Sequence, residues 1–276
     1  MSIKRKIETI GVPLKDWNIQ INYGIKTGFN DAFIISTEKR DKILANCQTE
    51  EERQRTAELI RPILRGRDIK RYGYEWAGLY LIATFPSRHY DIEMFPAVKA
   101  HLLSFGIKRL EQTGKTHIVN EEKVKARKKT NNKWFETQDS ISYWEDFNKP
   151  KIIWKRVGSI LRFSYNDDGA LGLDSTCFAT GENIEFICCV LNSAMGRFLL
   201  KDAPKTGTGD LLISVQTVEP IKVPIITKEQ NSIFEDSLKE LTHYSSTQKE
   251  KEINYKVFEL YNLSHDEQQY IESNFI

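Results

Sequence analysis

The chain has 276 residues, 40% of them hydrophobic and 28% charged, which is long enough to bury a sizeable core and too apolar for wholesale disorder. Its 40 Lys and Arg stand against 38 Asp and Glu, a net charge of +2 that by itself excludes neither an acidic nor a basic partner. No stretch approaches the roughly 18 apolar residues of a membrane span, and Met1-Ser-Ile-Lys-Arg-Lys-Ile-Glu lacks the apolar run of a signal peptide, so the expectation is a cytoplasmic protein without a membrane partner.

Residues 1–20 read as an N-terminal connector, although residues 14–21 alternate enough to begin a strand. Two linked segments follow. The first, Tyr23-Gly-Ile-Lys-Thr-Gly-Phe-Asn-Asp-Ala-Phe-Ile-Ile35, sets a Gly-bracketed polar turn before an apolar strand at residues 33–36. The second, Ile60-Arg-Pro-Ile-Leu-Arg-Gly-Arg-Asp-Ile-Lys-Arg-Tyr72, gathers Arg61, Arg65, Arg67, Lys70 and Arg71 around a glycine and a carboxylate. Residues 37–60 contain many Glu, Arg and Gln and no Pro or Gly, which predicts a helix joining the two motifs.

Tyr80-Leu-Ile-Ala-Thr-Phe85 has the composition of a strand, and Pro86 ends it. Residues 95–105 place Val98, Leu102 and Phe105 near helical spacing, with Pro96 in the first turn. Residues 108–140 are weakly periodic and punctuated by Gly, Asn and Thr, which predicts a surface excursion. Lys151-Ile-Ile-Trp-Lys155 and residues 160–165 read as strands, with a hairpin-like turn at Asn166-Asp-Asp-Gly169. Residues 178–180 extend that sheet, residues 183–200 read as a buried helix, and Lys205-Thr-Gly-Thr-Gly-Asp210 forms another Gly-bracketed polar loop. Ile221-Lys-Val-Pro-Ile-Ile226 is a short strand that Pro224 assigns to an edge. From Lys228 the pattern is helical, through Phe234, Leu238 and Leu241, then Tyr255, Phe258, Leu260 and Tyr261, with a capping box at Ser264 and Glu267.

Cys47, Cys177, Cys188 and Cys189 fit neither a zinc ribbon nor a small disulfide framework, and read as reduced, structural thiols. The five histidines form no ligand-spaced pair, so no metal is expected. A nuclease would need clustered carboxylates with a lysine. Asp139 with Glu145, Asp146 and Lys149, or Glu121 with Lys123, offer only a spacing common on charged surfaces.

Charge is unevenly distributed. Residues 99–133 hold ten Lys or Arg against three acids, whereas residues 234–276 hold nine acids against four lysines. A basic middle and an acidic tail predict a polyanion-binding surface that excludes the tail. Lys26, Thr27, Asn30, Arg65 and Arg67 are short or fork-shaped donors beside glycines, which let a backbone approach a phosphate or base edge. The same residues also fit a plain tight turn at Gly24 and Gly28, an internal Arg65 and Asp68 pairing, and a cap at Asp31. Lys70 and Arg71 extend the cluster. Lys125, Arg127, Lys128, Lys129 and Lys133 mix donors with Trp134, either to read sequence or to hold phosphates only. Strand alternation puts Lys155 on one face and Arg156 with Trp154 on the other, Trp154 reading as core. Lys205 and Thr206 begin a loop whose backbone N–H groups suit phosphate.

The two linked segments, together with Phe147-Asn-Lys-Pro-Lys-Ile-Ile-Trp154, resemble the TaqI-like C-terminal specificity domain, the target-recognition region of adenine-N6 DNA methyltransferases and of type IIG restriction-modification enzymes. The resemblance runs from about Ile21 to the C-terminus. It implies double-stranded DNA as partner and a separate methyltransferase catalytic domain or subunit that holds S-adenosylmethionine and acts on a target adenine. It also implies that the excursion at residues 108–140 sets the target, since members differ most there. No Asn-Pro-Pro-Tyr type motif and no Gly-rich cofactor loop is present, so no cofactor and no catalytic residue is expected in this chain.

The expected architecture is α+β: a mixed twisted sheet with surrounding helices and long loops over residues 21–227, then a C-terminal helical segment over residues 228–276. The expected function is sequence-specific duplex recognition, by a separately encoded specificity subunit or a domain of a larger polypeptide. The alternative is a specificity or assembly subunit of a multi-subunit DNA-modification or defence complex, in which the acidic tail and its Tyr255, Phe258, Leu260 and Tyr261 dock on protein.

Overall fold

A computed structural model describes residues 2–275 and divides the chain into two compact units. The first takes the residues up to Gly24, Arg65–Glu75 and everything from Asp146; the second takes Ile25–Leu64 and Trp76–Glu145.

In chain order, the Ser2 side chain accepts from the Arg5 amide and caps α1 (Ile3–Ile10), followed by β1 (Gly11–Pro13) and β2 (Ile19–Tyr23). The second unit then opens with α2 (Asn30–Phe33), β3 (Ile34–Ser36), α3 (Thr37–Ala45), α4 (Glu50–Leu59) and β4 (Ile60–Leu64). Residues 37–60 thus form two helices, because the Thr49 hydroxyl accepts from the Glu52 amide at 3.1 Å and starts α4 afresh. After the 3₁₀ turn Gly66–Asp68 of the first unit, the second unit continues with β5 (Leu79–Ile82), α5 (Pro96–Leu103), α6 (Ile107–Leu110), β6 (Thr116–Val119) and β7 (Glu122–Lys125). The remainder belongs to the first unit. It comprises β8 (Lys151–Lys155), β9 (Val157–Gly158), β10 (Phe163–Asn166), β11 (Leu171–Gly172) and β12 (Thr176–Gly181). Then come α7 (Ile184–Asn192), α8 (Ala194–Leu199), β13 (Leu211–Leu212), α9 (Val215–Val218) and β14 (Lys222–Pro224). Helices α10 (Lys228–His243), α11 (Thr247–Leu260) and α12 (His265–Phe275) close the chain.

The class is α+β, with the strands distributed over several small sheets. The main sheet of the first unit has the antiparallel order β10-β8-β12-β2, with Phe163 opposite Trp154 and Cys177 opposite both Trp154 and Tyr23. Because β10 and β12 flank β8, the turn at Asn166 to Gly169 is not a hairpin between neighbours, as its composition had suggested. The hairpin partner of β10 is β8, and residues 160–162 lie outside the strand. Pro224 sits in the two-stranded pair β1-β14, where its missing N–H does no harm.

One apolar core holds this unit together. Trp154, Phe163, Phe186, Phe234, Phe258 and Tyr261 are all buried in it, and full burial of each large side chain contributes about 1.5–3 kcal/mol. Residues 183–200 split into α7 and α8 because the Ser193 hydroxyl donates to Val190 O and accepts from Gly196 N, ending one helix and capping the next. Of the four residues expected to dock on a partner, Phe258 and Tyr261 are fully buried within this core and Leu260 is half-buried, so only Tyr255 faces solvent. The capping box at Ser264 and Glu267 forms as expected.

The second unit has a three-stranded antiparallel sheet, β4-β5-β3, and a separate two-stranded ribbon, β6-β7. Residues 108–140 are therefore folded rather than an irregular excursion. They are pinned by Gln112, whose side-chain amide donates to the carbonyls of Lys133 and Glu136 at 3.1 Å.

Candidate nucleic-acid interface

In the first unit the basic motif folds into a turn closed on itself. The Asp68 carboxylate accepts from the Arg65 amide at 2.8 Å, from Arg65 Nε at 3.0 Å and from Arg65 Nη2 at 2.7 Å. Burial opposes the charge on Asp68, but these hydrogen bonds outweigh it and hold the carboxyl below its ordinary range. Arg65 thus makes the internal pairing that the sequence leaves open. Arg67, between them, is exposed and makes no ion pair among the described residues.

Gly66 is the hinge of this arrangement. Its amide donates to Ser175 Oγ at 3.0 Å, and a Cβ there would fall 2.8 Å from Lys155 Cγ. The aliphatic stem of Lys155 also runs past Gly158, where a Cβ would lie 3.4 Å from Lys155 Cδ. Two glycines thereby let the side chain lie along the backbone while the residue stays exposed. Arg156 follows on the opposite face, its amide donating to Ser175 O and its carbonyl accepting from Ile213 N. Its guanidinium stands 5.9 Å from the Tyr23 ring, whose hydroxyl donates to Gln216 Oε1 at 2.6 Å, and its buried Nε has no hydrogen-bond partner. Arg67 and Lys155 thus flank Gly66 and Ser175, a residue that no sequence signal singled out, while the side chain of Arg156 turns toward Tyr23.

The other candidates in this unit divide. Lys70 pairs with exposed Glu75 at 3.1 Å, a contact too weak to immobilise it. Arg71 is committed internally, with Nη1 donating to Glu250 at 2.9 Å and Nη2 to Asn192 O at 3.0 Å. That partner lies in α11, where sequence distance conceals it, and Arg71 is withdrawn from the basic surface. In the loop at residues 205–210, Lys205 is exposed, but the amides of Thr206 and Gly209 donate to carbonyls of the loop itself. Thr206 Oγ1 shares a hydrogen bond with Thr208 Oγ1, so the loop offers Lys205 rather than a nest of those two amides.

A buried polar chain in the same unit was also hidden from sequence. Lys151 is fully buried, and its ammonium donates to Phe147 O and Asn166 Oδ1. Asn166 Nδ2 donates to Asp168, which also accepts from the Tyr74 hydroxyl. Lys149 pairs with Asp146 at 2.7 Å. No group of three or more His, Cys, Asp or Glu suited to a metal occurs among the described residues.

In the second unit, Arg127 overturns its expected role. It is 4% exposed, and its guanidinium donates to the carbonyls of Leu110, Thr27, Glu136 and Trp134 at 2.7–2.8 Å. Burial pulls it down to about 10 from its usual value. It clasps three segments, around Thr27, Leu110 and Trp134 to Glu136, and its burial withdraws it from a DNA-facing surface. Thr27 is buried too, donating to Asn30 Oδ1 at 2.6 Å and accepting from the Phe29 amide. Gly28 completes this turn with a φ of +78°. Around the clasp, Lys26, Asn30, Lys125, Lys128, Lys129 and Lys133 are exposed. Lys133 Nζ stands 5.5 Å from the Phe135 ring. Each unit therefore carries its own set of exposed cations on a backbone fixed by buried or paired arginines.

Comparison with known proteins identifies the family and the fold. A model of the TaqI-like C-terminal specificity domain matches residues 61–221. Among solved structures, a type IIL restriction-modification enzyme, MmeI, in complex with DNA, matches 96% of this chain at 11% identity with a TM-score of 0.60. A type IIG restriction endonuclease, BpuSI, matches 94% of it at 11% identity with a TM-score of 0.53. This chain spans 37% and 32% of those two chains, about a third of each. No match was found among curated proteins.

Proposed function

Because the chain belongs to the TaqI-like C-terminal specificity domain family, we propose that it reads a short duplex DNA sequence on behalf of a restriction-modification DNA methyltransferase of type II or IIG. In this reading it presents the target adenine for N6 methylation to a separate catalytic domain, which supplies S-adenosylmethionine and the chemistry. The observation that carries the proposal is the placement of exposed Arg67 and Lys155 beside Gly66 and Ser175, on a turn fixed by Arg65 and Asp68. Fixed cations hold phosphates and set the register from which other side chains meet base edges. The exposed lysines of the second unit, Lys125, Lys128, Lys129 and Lys133 among them, provide further phosphate contacts, as does Lys205 in the first. Support also comes from the structural likeness to restriction-modification enzymes, one of them solved with DNA.

A selection of bound duplexes from a random pool tests this. Enrichment of one short motif by the purified chain, weakened in an Arg67→Ala, Lys155→Ala variant, is the expected result. Binding without enrichment would reduce the role to phosphate holding, and no binding would remove it.

A second reading, assembly with a protein partner, is favoured by one observation: Tyr244, Tyr255 and Tyr270 of the acidic C-terminal region are exposed, Tyr244 by 79%. It predicts that their replacement by Ser leaves duplex binding intact and abolishes association with the catalytic domain.

A further inference from the structure

The ribbon β6-β7 pairs Thr116 with Lys125, His117 with Val124, Ile118 with Lys123 and Val119 with Glu122. Its two-residue turn, Asn120 and Glu121, has φ of 50° and 68°, the left-handed pair that matches the twist of a two-stranded ribbon. Directly opposed residues share a face, and the face alternates along each strand. One face is therefore Thr116, Lys125, Ile118 and Lys123, and the other is His117, Val124, Val119 and Glu122.

The two faces differ. On the second, His117 and Val124 are half-buried, and His117 Nε2 lies 3.5 Å from Glu111. Arg109 Nη1 donates to Lys125 O at 2.6 Å and fixes the base of the ribbon to α6. The first face is wholly exposed, Ile118 by 67%. Both acids of the hairpin, Glu121 in the turn and Glu122 opposite Val119, lie off that face. The exposed face thus carries two ammonium groups, a hydroxyl and a β-branched aliphatic, with no negative charge. A lysine row alone would serve solubility or guard an edge; an aliphatic set between lysines adds nothing to either.

Four residue pairs extend about 10 Å along the ribbon and its strands lie about 4.8 Å apart, and a major groove about 12 Å wide admits a two-stranded ribbon. We propose that the β6-β7 ribbon enters a groove of duplex DNA, with Ile118 against base edges, a thymine methyl being the apolar feature available there, and with Lys123 and Lys125 on the flanking phosphates. The inference rests on the duplex-reading function proposed above and names the element and the residue that discriminate bases.

The test uses the full chain. Wild type, Ile118→Ala, a Lys123→Ala, Lys125→Ala variant and a Glu122→Ala control are compared on the motif selected by wild type and on a scrambled duplex, across a salt series. All four positions are exposed, so folding survives, as thermal melting would verify. Ile118→Ala is expected to lower the preference for the motif by about fourfold per methylene buried in the groove, with the salt dependence unchanged. The double lysine variant is expected to weaken binding to both duplexes and to reduce the slope of log K against log salt by about 1.8. The Glu122→Ala control is expected to keep the preference. If wild type binds its motif and the first two variants match it in preference and slope, the ribbon assignment is overturned while duplex reading stands. If wild type binds no duplex, both fall together.

Discussion

Asp68 is held by Arg65 at three points, the backbone amide, Nε and Nη2, all within 3.0 Å. Two arginines separated by one glycine thereby have opposite tasks: Arg65 closes the turn, and Arg67 is what the turn displays. Arg65→Ala is expected to cost about 1–3 kcal/mol of stability, read as a lower urea midpoint. Arg67→Ala is expected to change stability by no more than about 0.5 kcal/mol and to lower the salt slope of duplex binding by about 0.9. Equal destabilisation by both would refute the division.

The Asp68 contact also sets an acid dependence. Burial raises the proton affinity of this carboxyl, but the Arg65 hydrogen bonds prevail and the folded value lies below the ordinary 3.8. The unfolded chain therefore takes up a proton first as pH falls. The stabilisation is complete above the unfolded value and is lost as pH drops through the lower folded one. The stability gap between wild type and Asp68→Asn should stay constant at neutral and mildly acidic pH and narrow only below about pH 4. Denaturation midpoints across that range check the sign, and a gap that grows on acidification would contradict it.

Arg127 and its lysine neighbours should behave as different kinds of residue. Arg127→Met leaves the carbonyls of Leu110, Thr27, Glu136 and Trp134 without their donor, a loss of about 3 kcal/mol or more. Hydrogen exchange should accelerate through residues 110–137. Lys128→Ala and Lys129→Ala should leave exchange unchanged and act only on the salt dependence of DNA binding.

Gly24 and Gly28 look alike in sequence and are needed for different reasons. A Cβ on Gly24 would fall 2.0 Å from Leu173 O and 2.6 Å from Leu173 C, backbone atoms that cannot swing aside. Gly28 has more room and needs its positive φ. Gly28→Ala is expected to cost about 1–2 kcal/mol, and Gly24→Ala more than 3 kcal/mol or the fold. Chemical denaturation of the two variants would reverse this order if the assignment were wrong.

Native thiols should be nearly inert. Cys177, Cys188 and Cys189 are buried, and burial pushes Cys177 up to about 12 and raises Cys188 and Cys189 well above the usual thiol value. A thiol reagent at mildly alkaline pH should modify at most Cys47 in the folded chain and all four cysteines in denaturant. Rapid native modification of two or more would show that the core of the first unit opens readily.

The sequence made some of this legible and hid the rest for physical reasons. Periodicity and composition located α5, β5, β8, β12 and the C-terminal helices, because each has a regular apolar face or strand composition; Pro96 starts α5, but β5 ends at Ile82, short of Pro86. It missed the break at Ser193, where a hydroxyl competes with the helix for backbone groups. At the interface, composition located basic clusters but could not sort them. Whether an arginine faces DNA or the interior depends on partners remote in sequence: Glu250 for Arg71, and the carbonyls of Thr27, Leu110, Trp134 and Glu136 for Arg127. Ser175 and Ile118 were invisible because neither belongs to a residue type that charge counting or motif spacing selects.

The pairing of β2 with β12 sets a schedule for synthesis. Tyr23 meets Cys177, and Ile19 meets Gly181, across more than 150 residues of chain. At ribosomal elongation rates of about 5–20 residues per second, the first strand waits on the order of ten seconds or more for its neighbour to be made. The second unit, from Ile25 to Glu145, is translated entirely within that interval. An unpaired strand edge at Ile19–Tyr23 is thus exposed on the nascent polypeptide for that interval, and β1, whose partner is β14, waits longer still.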